Sequence, residues 1–130
     1  GIAVDPLGNI FITDTGNDRV VKCDGEGRFL AEAGGFGWGS REFNRPAYIA
    51  TDNGLNIYVV DAQNKRIQRL DRSLNFVSTL EIREQNDFLG LGLPQGIGIT
   101  FSGEILVSDM ESDQVFKLNS FFEYERSFGG

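Results

Sequence analysis

Histidine is absent from these 130 residues, and cysteine, methionine and tryptophan occur once each. Without histidine there is no Ser-His or Cys-His nucleophile system and no imidazole-based metal site. The lone Cys23 excludes an internal disulfide. It aligns with Leu70 and Leu118, so it is expected to be a small buried hydrophobe. Basic residues are short too: 12 Lys and Arg stand against 19 Asp and Glu, for a net charge of −7. No segment is basic enough to track a phosphate backbone, so nucleic-acid binding is not expected. Only residues 36–46 carry a net positive charge, of +1. No apolar run approaches a membrane span, and no stretch keeps helical periodicity. The chain starts inside a strand-like run without an initiator Met or signal peptide, which suggests a fragment or processed product.

What is present is a motif used three times. Gly1-Ile2-Ala3-Val4-Asp5 aligns with Tyr48-Ile49-Ala50-Thr51-Asp52 and Gly96-Ile97-Gly98-Ile99-Thr100. Asn9-Ile10-Phe11-Ile12-Thr13-Asp14 aligns with Asn56-Ile57-Tyr58-Val59-Val60-Asp61 and Glu104-Ile105-Leu106-Val107-Ser108-Asp109. The Asp residues are 47 and 48 positions apart. Such a period denotes a propeller, solenoid or array, in which each unit needs neighbours to bury its apolar surface.

Each repeat resolves into four short β-like runs free of Pro, rich in Ile, Val, Phe and Tyr, and separated by turn residues. The second run is apolar on both sides, as Ile57 and Val59 opposing Tyr58 and Val60 show. A sheet with one wet face alternates apolar and polar residues. Two apolar faces therefore place each sheet between others, as in radial stacking about an axis. Ala3, Ala50 and Gly98 suit a crowded innermost strand. The expected fold is all-β: three four-stranded antiparallel propeller blades arranged radially as an incomplete ring. The blades fall at about 1–35, 47–82 and 96–130, with links 36–46 and 83–95.

The repeats resemble NHL repeats, a β-propeller family. The resemblance rests on Gly8-Asn9-Ile10-Phe11-Ile12-Thr13-Asp14, Asn17-Asp18-Arg19-Val20, Gly34-Gly35 and the link Gly39–Pro46. The second repeat keeps Asn64-Lys65-Arg66-Ile67 but lacks the late Gly pair, and the third has Ser112 and Gln114 for the Asn and Arg. The resemblance implies fold far more than function.

Asp14, Asp61 and Asp109 close the second runs, and Arg19 and Arg66 open the third. Asp–Arg pairing and capping of turn N–H groups is the expected role. A ring of carboxylates holding Ca²⁺ is the alternative, but equivalent positions are spread around the ring, so neither metal nor cofactor is expected. Asp5 and Asp52, with Thr100 in the third repeat, are read as turn caps. In the links, Phe43 and Leu91 recur at the same offset and are expected to plug the gaps between blades. Phe36, Trp38 and Arg41 in the first link and Phe88 in the second are candidate interaction residues, because loops on rigid scaffolds carry aromatic and Arg contacts.

Three blades leave two apolar faces bare, one with Ile10 and Ile12 or with Phe11 and Thr13, the other with Ile105 and Val107 or with Leu106. They would be covered by further blades of the same protein, by a second copy closing a six-bladed ring, or by a protein partner. The expected function is a non-catalytic scaffold for protein or ligand interaction, not an enzyme. The alternative is a propeller lyase or hydrolase whose catalytic residues lie outside this chain. RNA binding, known in the NHL propellers of some tripartite-motif ligases, expects a basic rim that the charge here denies. The resemblance to bacterial NHL proteins suggests a secreted or periplasmic location.

Overall fold

The computed structural model describes residues 1–53, 56–81 and 92–129. Twelve strands form three antiparallel sheets, each in simple meander order. The first holds β1 (Ile2–Val4), β2 (Ile10–Asp14), β3 (Arg19–Cys23) and β4 (Phe29–Gly34). The second holds β5 (Pro46–Thr51), β6 (Asn56–Asp61), β7 (Arg66–Asp71) and β8 (Phe76–Glu81). The third holds β9 (Pro94–Ile99), β10 (Ile105–Asp109), β11 (Gln114–Leu118) and β12 (Tyr124–Gly129). Innermost strands β1, β5 and β9 lie beside one another, so the sheets radiate from a shared edge into an incomplete ring. This is the all-β, radially stacked arrangement that the two-sided apolar runs require.

Two strands start earlier than the Pro-free runs at Tyr48–Thr51 and Ile97–Thr100, so that β5 and β9 open on Pro46 and Pro94. Proline is tolerated at the first residue of an edge strand, where no ladder N–H is needed. The pairing also shifts by one residue between Pro46 and Tyr48 and between Val107 and Asp109.

Turn chemistry repeats with the sheets. Asp18, Lys65 and Asp113 each adopt left-handed φ near +52 to +55° to close the β2–β3 type of turn. Gly34 (φ +143°) ends β4 so close to Arg19 that a Cβ would lie 2.6 Å from the Arg19 Cα, which leaves only glycine there.

The two cores lie between sheets. Phe11, Val20 and Ala33 of the first sheet meet Ile49, Ile57, Val59, Leu70 and Leu74 of the second, with Phe43 of the link fully buried among them. Tyr58, Val60, Ile67 and Leu80 of the second meet Ile105, Val107, Phe116 and Leu118 of the third. The sheets therefore stack in one sense: the face bearing the Phe11 type of residue always meets the next sheet's face bearing the Ile57 type. Full burial of one such side chain is worth about 1.5–3 kcal/mol.

That sense decides which faces stay bare. Ile10 and Ile12 point away from the second sheet, with Ile2, Val4 and Leu30 exposed beside them. At the far end the bare face carries Leu106, Val115 and exposed Phe128. Cys23 pairs with Ile10 across the strands and shares its face, so it is half-buried rather than buried. Its equivalents Leu70 and Leu118 are buried because another sheet precedes theirs.

Candidate functional site

Antiparallel order puts the β2–β3 type of turn and the sheet-to-sheet links on the same rim. The recurring Asp residues sit there. Asp14 accepts hydrogen bonds from Arg19 Nε at 2.7 Å and Asn17 Nδ2 at 3.0 Å. The Arg19 bond, with Asn17, holds its carboxyl below the ordinary Asp range. Asp61 accepts from Arg66 Nε, Asn64 Nδ2 and the Asn44 N–H, each at 2.8 Å. Among the described residues Asp109 has no arginine partner and accepts instead from the N–H groups of Gly92 (2.6 Å), Leu93 (3.0 Å) and Glu111 (2.9 Å). Each carboxylate is thus engaged on its own sheet as an acceptor and orders a turn. Among the described residues no three His, Cys, Asp or Glu converge on one point where a metal would sit.

The opposite rim repeats a lighter version. Asp5 Oδ1 accepts from the N–H groups of Leu7 and Asn9, both at 2.9 Å. Burial pushes its pKa up, but these bonds and the Asn9 side chain outweigh that and lower it. Asp52 and Thr100 accept from Asn56 and Glu104 in the same way.

Among the described residues, the first link is the most elaborately held segment of the rim. Arg66 donates to the carbonyls of Trp38 (2.6 Å), Gly39 (2.9 Å) and Glu42 (2.8 Å) while paired with Asp61. Fully buried Gln68 accepts from the Arg41 N–H at 3.0 Å and donates to the Glu42 carbonyl at 2.7 Å. Asn64 donates to the Gly37 carbonyl at 2.8 Å. Arg41 and Arg45 take φ of +63° and +54°, a conformation that needs such support. Phe43 anchors the link from below.

The link therefore projects a fixed surface. Trp38 is 72% exposed and Phe36 64%, their rings edge to face at 6.3 Å. Arg41 is exposed on the same link. Phe36, Trp38 and Arg41 thus share one loop. Phe88 and Leu91 lie outside the described residues. Sequence reasoning missed Gln68, although a polar residue in the slot held by Val21 and Phe116 was a usable signal. It also missed Arg69, which follows Lys22 and Lys117 in its repeat position.

A family model for the NHL repeat matches residues 1–23. NHL repeat-containing protein 2 of Gallus gallus is 32% identical over 87 residues, which is 61% of this chain and 12% of that protein. Hydrazine synthase of Kuenenia stuttgartiensis superposes with a TM-score of 0.78 at 18% identity, over 99% of this chain and 35% of that one. A catalytically inactive virginiamycin B lyase of Staphylococcus aureus, solved with quinupristin, gives a TM-score of 0.70 at 15% identity, over 98% of this chain and 40% of that one.

The fold is a β-propeller fold, shared over nearly the whole chain with these solved structures, and its first 23 residues match the NHL repeat. The propeller chain spans about an eighth of the Gallus protein and well under half of the solved structures. Two expectations are corrected here. The reading as a non-catalytic protein-binding scaffold, and with it the reading as a non-enzyme, are contradicted because the same three-sheet arrangement recurs inside catalytic proteins. The absence of histidine describes only these 130 residues, whereas the similar structures are more than twice as long.

Proposed function

We propose that these three sheets are part of a propeller enzyme, a lyase or hydrolase, whose catalytic residues lie outside this chain. The observation that carries the reading is the superposition of nearly the whole chain on less than half of each catalytic propeller. The inactive S. aureus lyase differs by a histidine-to-alanine change. Histidine is the residue type this chain lacks.

In this reading the chain supplies wall and rim. The Asp–Arg turns fix the rim, and the link bearing Phe36, Trp38 and Arg41 forms a rigid lip beside the opening. The bare Ile10 face and the bare Leu106 face are covered by further blades or by a second copy, for about six sheets in all. The repeats are of the NHL type, and the location is secreted or periplasmic. The test is to express the complete polypeptide carrying this chain and incubate it with quinupristin and a panel of esters and peptides. Mass spectrometry is expected to show bond cleavage, with no added water for a lyase and one added water for a hydrolase. Absence of any turnover refutes the reading.

A further inference from the structure

A cleft of about 800 Å³ opens between the outer strands of the second sheet and the third sheet. Trp38 walls it at the link rim, Phe76 and Phe121 at the opposite rim, and Arg69 and Ser78 in between. Along β7 it runs from Arg66 to Arg69, three steps or about 10 Å. It lies at the outer strands β7 and β8, away from the innermost strands β1, β5 and β9, and of Phe36, Trp38 and Arg41 on the lip it shares only Trp38.

Arg69 and Ser78 face each other across β7 and β8. The Arg69 guanidinium sits 4.3 Å from the Phe122 ring centroid and 5.2 Å from that of Tyr58. One of its nitrogens, Nη2, donates to the Ser120 carbonyl at 2.9 Å. Among the described residues, its Nε and the Ser78 Oγ are buried with no hydrogen-bond partner. Native proteins rarely leave such groups unpaired, and a bound ligand is one reason for an exception. The equivalent gap one sheet earlier is bridged by Lys22, whose Nζ lies 5.6 Å from the Phe11 ring centroid and donates to the Arg72 carbonyl at 2.7 Å. A lysine suffices to strut the sheets. The arginine does that with Nη2, also interacts with the Tyr58 hydroxyl, and still leaves its Nε for something else.

Charge points the same way. The chain carries −7, yet the described residues lining the cleft include two arginines and no acid. Arg66 is engaged by Asp61, while Arg69 enters no ion pair among the described residues. We propose that this cleft binds a small organic anion, a carboxylate flanked by aromatic or apolar groups. Arg69 takes the carboxylate, Ser78 turns its hydroxyl to it, and Trp38 and Phe121 cover the two apolar ends.

Trp38 is the only tryptophan, so its emission reports on the cleft directly. The 130-residue chain is titrated with 4-phenylbutyrate and with neutral 4-phenylbutan-1-ol. The carboxylate is expected to saturate the change at a concentration about tenfold lower than the alcohol, as a charge-assisted bond requires. Arg69→Lys keeps the strut and loses the fork, and Ser78→Ala removes the unpaired hydroxyl; each, shown folded by circular dichroism, is expected to shrink that preference. No saturable change in Trp38 emission, equal affinity for acid and alcohol, or an undiminished preference in both folded variants overturns the proposal.

Discussion

Replacing Asp61 or Asp14 by alanine removes the same residue from the same turn in two sheets, with unequal consequences. The Arg–Asp distances are nearly equal, 2.8 and 2.7 Å. Their surroundings are not: the Arg66 side chain is 10% exposed and that of Arg19 41%. Asp61→Ala strands a buried guanidinium and also releases Asn64 and the Asn44 N–H. Breaking a buried pair in this way costs about 3–5 kcal/mol. With a urea slope of about 1.5 kcal/mol/M, the unfolding midpoint falls by about 2–3 M. Asp14→Ala leaves Arg19 in water and still bonded to Glu32 at 2.7 Å, so its midpoint moves by a small fraction of that. Far-UV circular dichroism follows the sheets and Trp38 emission follows the link, which loses its support only in the Asp61 variant. Equal midpoint shifts in the two variants, or a shift below about 0.5 M for Asp61→Ala, refute the idea that burial alone separates these repeats.

Phe43→Ala empties a fully buried site between the first two sheets and is expected to cost about 3–5 kcal/mol in urea unfolding, whereas Phe101→Ala, at a position 92% exposed, changes stability by less than about 0.5 kcal/mol. Acid destabilises the fold through depressed carboxyls. Asp5, Asp14, Asp24, Asp71 and Glu104 all titrate below their ordinary values, because turn N–H groups, Arg19 and Lys117 favour the ionised form. Their contribution is complete above the unfolded range near pH 4 and disappears as pH falls through the lowered folded values. Melting temperatures should therefore be flat from about pH 7 to 5 and drop below about pH 4; a melting temperature that rises on acidification contradicts this.

The repeat was legible because the same turn chemistry recurs: Asn-Ile-x-x-x-Asp marks β2 and β6, and a left-handed Asp18 or Lys65 closes the turn after each. Stacking was legible because Tyr58 and Val60 oppose Ile57 and Val59, which no half-wet sheet tolerates. The alignment could not say which face of an end sheet stays bare, since that depends on the sense of stacking. Hence Cys23 was assigned the burial of Leu70 and Leu118 although no described sheet precedes its own. The support of the link was hidden for a related reason. Gln68 and Arg66 reach carbonyls more than twenty residues earlier in the chain, and such long-range bonds leave no local pattern. Function was the least legible. An absence of histidine within three sheets describes those sheets alone.

Thiol reactivity at three equivalent positions tests the one-sense stacking most directly. In dilute chain, native Cys23 is titrated with a disulfide reagent, alongside Leu70→Cys and Leu118→Cys made in a Cys23→Ser background. Stacked sheets predict that Cys23 reacts as a half-exposed thiol, while the other two react only as fast as neighbouring sheets separate. Equal rates at all three positions, or slowest reaction at Cys23, would contradict the stacking.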